Sequence, residues 1–89
     1  MLYMIVETFR GGEPAPVYER VQRQGRLAPP GLHYIASWVT VDGAMCYQIM
    51  QCEDRTALDE WMAAWNDLVD FSVTPVITSA EAAAKFTPA

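Results

Sequence analysis

The stretch Leu32-His-Tyr-Ile-Ala-Ser-Trp-Val-Thr-Val-Asp-Gly-Ala-Met-Cys-Tyr-Gln-Ile-Met-Gln-Cys52 decides how the rest of the chain reads. It holds two runs rich in β-branched and aromatic residues, parted by Asp42-Gly43. Asp-Gly between two such runs is a strong hairpin signal, because both central residues of a type I′ turn take positive φ. With Asp42 and Gly43 as a two-residue loop, Val41 pairs with Ala44 and the register follows. Trp38 faces Tyr47, Ala36 faces Ile49 and Tyr34 faces Gln51 on one side. On the other side Val39 meets Cys46, Ser37 meets Gln48, Ile35 meets Met50 and His33 meets Cys52. A slip of one residue would exchange the two faces.

Upstream, Leu2 to about Thr8 reads as a strand that stops at Arg10-Gly-Gly-Glu-Pro14, where paired glycines and a proline break the chain. Pro16 fits the first turn of a helix, Val17, Tyr18 and Val21 recur at helical spacing, and Gly25 suits a C-terminal cap. Ala28-Pro-Pro-Gly31 separates this helix from the hairpin. Downstream, Asp54 or Thr56 caps a second helix with the apolar stripe Leu58, Trp61, Met62, Trp65 and Leu68. A last strand spans about Asp70 to Ile77. Pro75 within it cannot donate to a ladder, which puts that strand at a sheet edge. Thr78-Ser-Ala-Glu81 is a capping box opening a short alanine-rich helix that ends before Pro88.

The order β-α-β-β-α-β plus a terminal helix is the ferredoxin-like α+β motif, here in one domain over residues 1–89. In that motif the strands lie 4-1-3-2, so the fourth is an edge, as Pro75 independently requires. Both helices cover one face of the sheet. The other face would read as polar if it met water, yet Leu2, Met4 and Val6 alternate with Tyr3, Ile5 and Glu7, and the hairpin is apolar on both sides. A sheet apolar on two faces needs a second cover, and a second copy of the chain supplies it with closed symmetry. The expectation is a homodimer.

The composition narrows the partners. The 89 residues carry a net charge of −5 with 52% hydrophobic residues. Lys85 is the single lysine, and the only basic cluster, Arg20, Arg23 and Arg26, has Glu19 beside it. Nucleic acid and anionic membrane surfaces are not expected partners, since both select concentrated positive charge. No apolar run approaches the ~20 residues of a membrane helix. The first residues lack the basic flank of a secretion signal, so a cytoplasmic location is expected. Cys46 and Cys52, six residues apart in one strand, would stand about 20 Å apart, too far to bridge each other.

Several motifs together resemble the bacterial domain-of-unknown-function family 3303: Gly25-Arg-Leu-Ala-Pro29, Gly31-Leu-His-Tyr-Ile-Ala-Ser-Trp-Val39, Asp59-Glu-Trp-Met-Ala-Ala-Trp65, Asp67-Leu-Val-Asp-Phe71 and Pro75-Val-Ile-Thr-Ser-Ala-Glu81. The chain departs from that pattern at Leu27, where Met is usual, and at Pro30 and Ser72, where Glu is usual. The resemblance implies a dimeric α/β barrel, a superfamily that includes cofactor-independent monooxygenases, haem-degrading enzymes, lactone isomerases, polyketide cyclases and ligand-sensing domains. It implies a small-molecule pocket between sheet and helices and transfers no residue roles.

Candidate chemistry rests on few residues. His33, the sole histidine, titrates near neutrality when unperturbed. The two-residue turn would place it beside Cys52, as an activated pair or simply as a hydrogen-bonded strand end. Glu7 closes an apolar strand expected at the sheet centre. There a carboxylate either pairs with an arginine such as Arg10 or Arg55, or is pushed up in pKa and suits a general base. Tyr34, Trp38 and Tyr47 on the sheet, with Trp61 and Trp65 on the helix, would line a flat-ring pocket. The three sheet aromatics form an interface instead if their face turns from the helices. No phosphate loop, metal-spaced cysteine pair or serine elbow is present, so no cofactor and no metal are expected. Two functions stay open: an enzyme acting on an apolar or aromatic compound, and a non-catalytic dimeric sensing or assembly module.

Overall fold

The computed structural model describes residues 1–88. Its elements are β1 (Leu2–Phe9), a 3-10 turn (Arg10–Gly12), α1 (Ala15–Gln24), β2 (His33–Val39), β3 (Met45–Gln51), α2 (Arg55–Trp65), β4 (Val69–Val76) and α3 (Ser79–Phe86). One four-stranded sheet runs β2-β3-β1-β4, with every neighbouring pair antiparallel. This is the ferredoxin-like α+β arrangement expected from the element order. Pro75 lies on β4, whose only strand partner among the described residues is β1, so β4 is an edge strand, where a proline is tolerated.

The helix boundaries follow local chemistry. Asp54 caps α2 by accepting from the Thr56 N–H at 2.9 Å, and Thr78 caps α3 by accepting from Glu81 N–H at 3.1 Å. Gly25 ends α1 with φ of 71° while its N–H donates to the Val21 carbonyl at 2.8 Å. That left-handed φ suits a residue without a Cβ. α2 ends at Trp65, short of Leu68, whose N–H closes a turn onto the Trp65 carbonyl at 2.9 Å.

The hairpin departs from its expectation at both ends. No two-residue type I′ turn forms. The Thr40 N–H instead donates to the Met45 carbonyl at 2.9 Å, and Gly43 N–H donates to the Thr40 carbonyl at 2.8 Å. Asp42 organises this longer loop by accepting from the Thr40 hydroxyl at 2.7 Å and from Ala44 N–H at 3.0 Å. The side chain thus closes the turn locally, and only Gly43 takes positive φ. Two residues added symmetrically leave the register unchanged, so Val39 still pairs with Cys46, Trp38 with Tyr47 and Ala36 with Ile49.

Farther from the turn the register shifts between Tyr34 and Ala36. Ile35 is left over as a bulge residue, so Tyr34 pairs with Met50 and His33 with Gln51. The expected His33–Cys52 and Tyr34–Gln51 pairs do not form. The bulge also moves Tyr34 onto the face opposite to that of Trp38 and Tyr47.

The core lies between the sheet and α1 and α2. Tyr3, Ile5, Phe9, Cys46, Met50 and Val69 from the strands meet Val17, Leu58, Trp61 and Trp65 from the helices, all buried. The opposite face carries Leu2, Met4, Val6 and Ile49, which are half-buried, with Tyr47 and Trp38, which are exposed, Trp38 to 61%. α3 has no buried residue. The radius of gyration, 14.6 Å, exceeds the ~12 Å of a compact chain this long.

Candidate functional site

β1 runs down the middle of the sheet, so alternate side chains along it point into the space beneath the helices. The sequence Tyr3, Ile5, Glu7, Phe9 therefore puts one carboxyl among apolar groups. Glu7 is only 7% exposed. The arginines that could have paired with it are engaged elsewhere: Arg10 with Asp70 at 3.1 Å and Arg55 with Asp59 at 3.3 Å. Burial pushes the Glu7 carboxyl from an ordinary 4.5 up to about 7, against smaller opposing effects from the Cys46 thiol and the Arg26 charge.

Cys46 faces Glu7 across the β1–β3 ladder. Burial, and then the nearby carboxyl, push its thiol up to about 12, so it stays protonated and is a poor nucleophile. Gln48, two residues on and also buried, donates its amide to the Met50 sulfur at 2.9 Å. Ser37 of β2 completes this polar strip beside Cys46.

These groups form one wall of a cleft of about 120 Å³ lined by Glu7, Phe9, Val17, Val21, Ser37, Cys46, Trp61 and Trp65, with Tyr18, Arg26, Val39 and Gln48 around them. α1 contributes the apolar lid Val17, Tyr18 and Val21. α2 contributes two indoles at i, i+4 spacing, which lie on one side of a helix. Both indoles share a partner: Trp61 Nε1 donates to the Arg26 carbonyl at 3.0 Å and Trp65 Nε1 to the same oxygen at 2.8 Å. This ties the loop after α1 to α2. Arg20 ties α1 itself, with a two-pronged bond to Asp67 at 2.8 and 2.7 Å and a third to the Ala64 carbonyl at 3.1 Å.

Of the residues singled out in the sequence, Glu7, Trp61 and Trp65 meet in this cleft. Tyr34 stands beside it, under the Arg26 guanidinium, with its hydroxyl 2.8 Å from the Ser37 hydroxyl. Trp38 and Tyr47 lie on the far face of the sheet. His33 is exposed and borders a separate acidic groove with Glu53, Asp54 and Glu60. Arg26, Ser37, Cys46 and Gln48 were not singled out. Cys46 and Gln48 were legible in principle, being cross-strand neighbours on the face that carries Glu7. Arg26 sits in a loop and carried no periodic signal. Among the described residues no cluster of three or more His, Cys, Asp or Glu is arranged to hold a metal ion.

A ferredoxin-like sheet with a cleft beneath its helices is the class this geometry defines. The chain belongs to the family described as domain of unknown function 3303, whose sequence model matches residues 1–89. Among solved structures, that of Rv0793 from Mycobacterium tuberculosis is similar, with a TM-score of 0.52 at 17% identity, covering 89% of this chain and 97% of that one. Similarity at that identity speaks to the fold alone. Among curated proteins none matches the chain significantly. Among the described residues no helix is long and apolar enough to cross a membrane.

Proposed function

We propose that this protein is a cytoplasmic homodimer that binds a small apolar or aromatic molecule in the cleft beneath α1 and α2, with Glu7 as its proton-handling group. The observation that carries this reading is Glu7: a buried carboxyl, held near neutrality in pKa, on the polar wall of an otherwise apolar cleft. Catalytic acids and bases need a pKa near the working pH. In its neutral form the carboxyl donates a hydrogen bond to a ligand oxygen; in its ionised form it accepts a proton. The cleft volume suits a single ring, since an engineered apolar cavity of about 150 Å³ holds benzene. Enolisation or phenol–ketone exchange, in which one proton leaves the ligand and returns, needs no other titrating group.

The dimer is supported by the uncovered apolar face and by α3. Leu2, Met4, Val6, Tyr47, Ile49 and Trp38 make a continuous patch, and Phe86 at the end of α3 is 70% exposed. Patches of this kind on a soluble protein mark contacts with other chains. Two such sheets packed face to face would make the dimeric α/β barrel. The two free, buried thiols suit a reducing compartment. A second reading, a non-catalytic sensing module, is favoured by the inert Cys46 thiol, which leaves Glu7 without a nucleophilic partner.

Two-dimensional NMR with phenol as the probe tests the cleft. The indole N–H signals of Trp61 and Trp65 and the amides of Glu7 and Cys46 are expected to shift, while the Trp38 indole stays still. Shifts centred on Trp38, or none at millimolar phenol, would contradict the assignment. Turnover of any ligand so found, lost in Glu7→Gln with binding retained, separates the enzyme from the sensor.

A further inference from the structure

We infer that Arg26 makes the cleft selective for a ring bearing an anionic substituent, such as an aromatic carboxylate, over the neutral ring of the same shape. The inference rests on the reading of the cleft as a ligand site. Three of the five arginines are committed to aspartates: Arg10 to Asp70, Arg20 to Asp67 and Arg55 to Asp59. Arg26 lines the cleft and, among the described residues, has no carboxylate within 4.0 Å.

Its guanidinium is nevertheless held in place. It lies 3.7 Å from the centre of the Tyr34 ring, a cation–π contact. The Tyr34 hydroxyl is anchored on Ser37 at 2.8 Å. Its own main chain is fixed by the two indole hydrogen bonds at 3.0 and 2.8 Å. A pre-positioned, unpaired guanidinium presents a planar fork of donors that matches a carboxylate in two parallel bonds.

Arg26 is exposed and Glu7 buried, and both line the cleft together with apolar side chains of α1 and the indoles of α2. A monocyclic acid fills this arrangement with its ring against Trp61, Trp65 and Val21, its carboxylate on Arg26, and any ring oxygen toward Glu7. A neutral ring makes the same apolar contacts and leaves the guanidinium to water.

The test is calorimetric titration of the full chain with benzoate and with benzamide, its neutral isostere, at pH 6 and low salt. Benzoate is expected to bind at least tenfold more tightly than benzamide. In Arg26→Gln the preference for benzoate should fall to about twofold or less, while the Trp61 and Trp65 indole signals still move with either ring, because the carbonyl that holds both indoles is retained. Tyr34→Leu, which removes the platform beneath the guanidinium and the hydroxyl contact with Ser37, should weaken benzoate severalfold more than benzamide; it also tests the inference if Arg26→Gln fails to fold. Equal affinities in the native protein, or a benzoate preference that survives Arg26→Gln, would overturn the inference while leaving the cleft as a ligand site. Failure of both rings to bind, with no movement of the Trp61 and Trp65 indole signals, would overturn both.

Discussion

The two faces of this sheet share their strands and differ in almost everything else. Beneath the helices, Ile5, Met50, Leu58 and Val69 are sealed from water, and burial pushes the pKa of the carboxyl among them, Glu7, up to about 7. On the far side Ile49 is half-buried, and Trp38 and Tyr47 are exposed. Apolar composition alone therefore does not distinguish a core from a contact surface; which residues share a face with the helices does. The contrast also separates roles. The covered face combines enclosure with a few polar groups, as ligand sites do, and the open face offers area without enclosure, as interfaces do.

The contrast can be broken most severely at the core. Ile5→Ala should lower unfolding free energy in denaturant by about 3–4 kcal/mol, the usual cost of a cavity at a sealed site. Ile49→Ala on the open face should cost far less at a protein concentration low enough to give monomer, and more as the concentration rises. Equal, concentration-independent losses would mean the two faces are not different in kind. Next in size, Trp38→Glu should raise the dimer dissociation constant at least 100-fold by sedimentation, about 3 kcal/mol, while the circular dichroism spectrum of the monomer stays native. A native protein that stays monomeric at millimolar concentration would remove the interface reading of that face.

Glu7→Gln sharpens the comparison through pH. The folded protein keeps a proton on Glu7 between about 4.5 and 7 that the unfolded chain has released, so this group makes stability fall as pH rises through that window. The loss is complete above it and amounts to roughly 3 kcal/mol as an upper figure. The variant should match the native protein near pH 4 and be the more stable at pH 8, as read from urea midpoints. Greater stability of the native protein at pH 8 would mean the carboxylate has a partner. The smallest effect is expected for Arg20→Ala, whose exposed partner Asp67 leaves the pair open to screening; the drop in melting temperature should shrink as salt is added.

Most of the fold was legible in the sequence because its signals were local and agreed with one another. Asp42-Gly43 marked the hairpin, Thr78 and Asp54 capped their helices, and Pro75 named the edge strand before the topology did. Half of the candidate site was legible too: the alternation Tyr3, Ile5, Glu7 put a carboxyl on an apolar strand, and the stripe Leu58, Trp61, Met62, Trp65 put two indoles on one side of a helix. The Ile35 bulge was not legible. A bulge depends on how two strands twist against each other, and this one moved Tyr34 to the other face and separated His33 from Cys52. Arg26 was missed for a related reason. Its place at the cleft comes from a loop held by two tryptophans 35 and 39 residues away.

The proposed function depends on the protonation of one buried group, Glu7, which can be measured directly. With the glutamate side-chain carboxyls labelled in carbon-13, the Glu7 resonance, assigned by its loss in Glu7→Gln, can be followed from pH 3 to pH 9. A midpoint near 7 is the predicted result and makes the cleft a proton-handling site at physiological pH. A midpoint near 4.5 would show an ordinary solvated carboxylate and contradict both the burial of Glu7 and the function built on it.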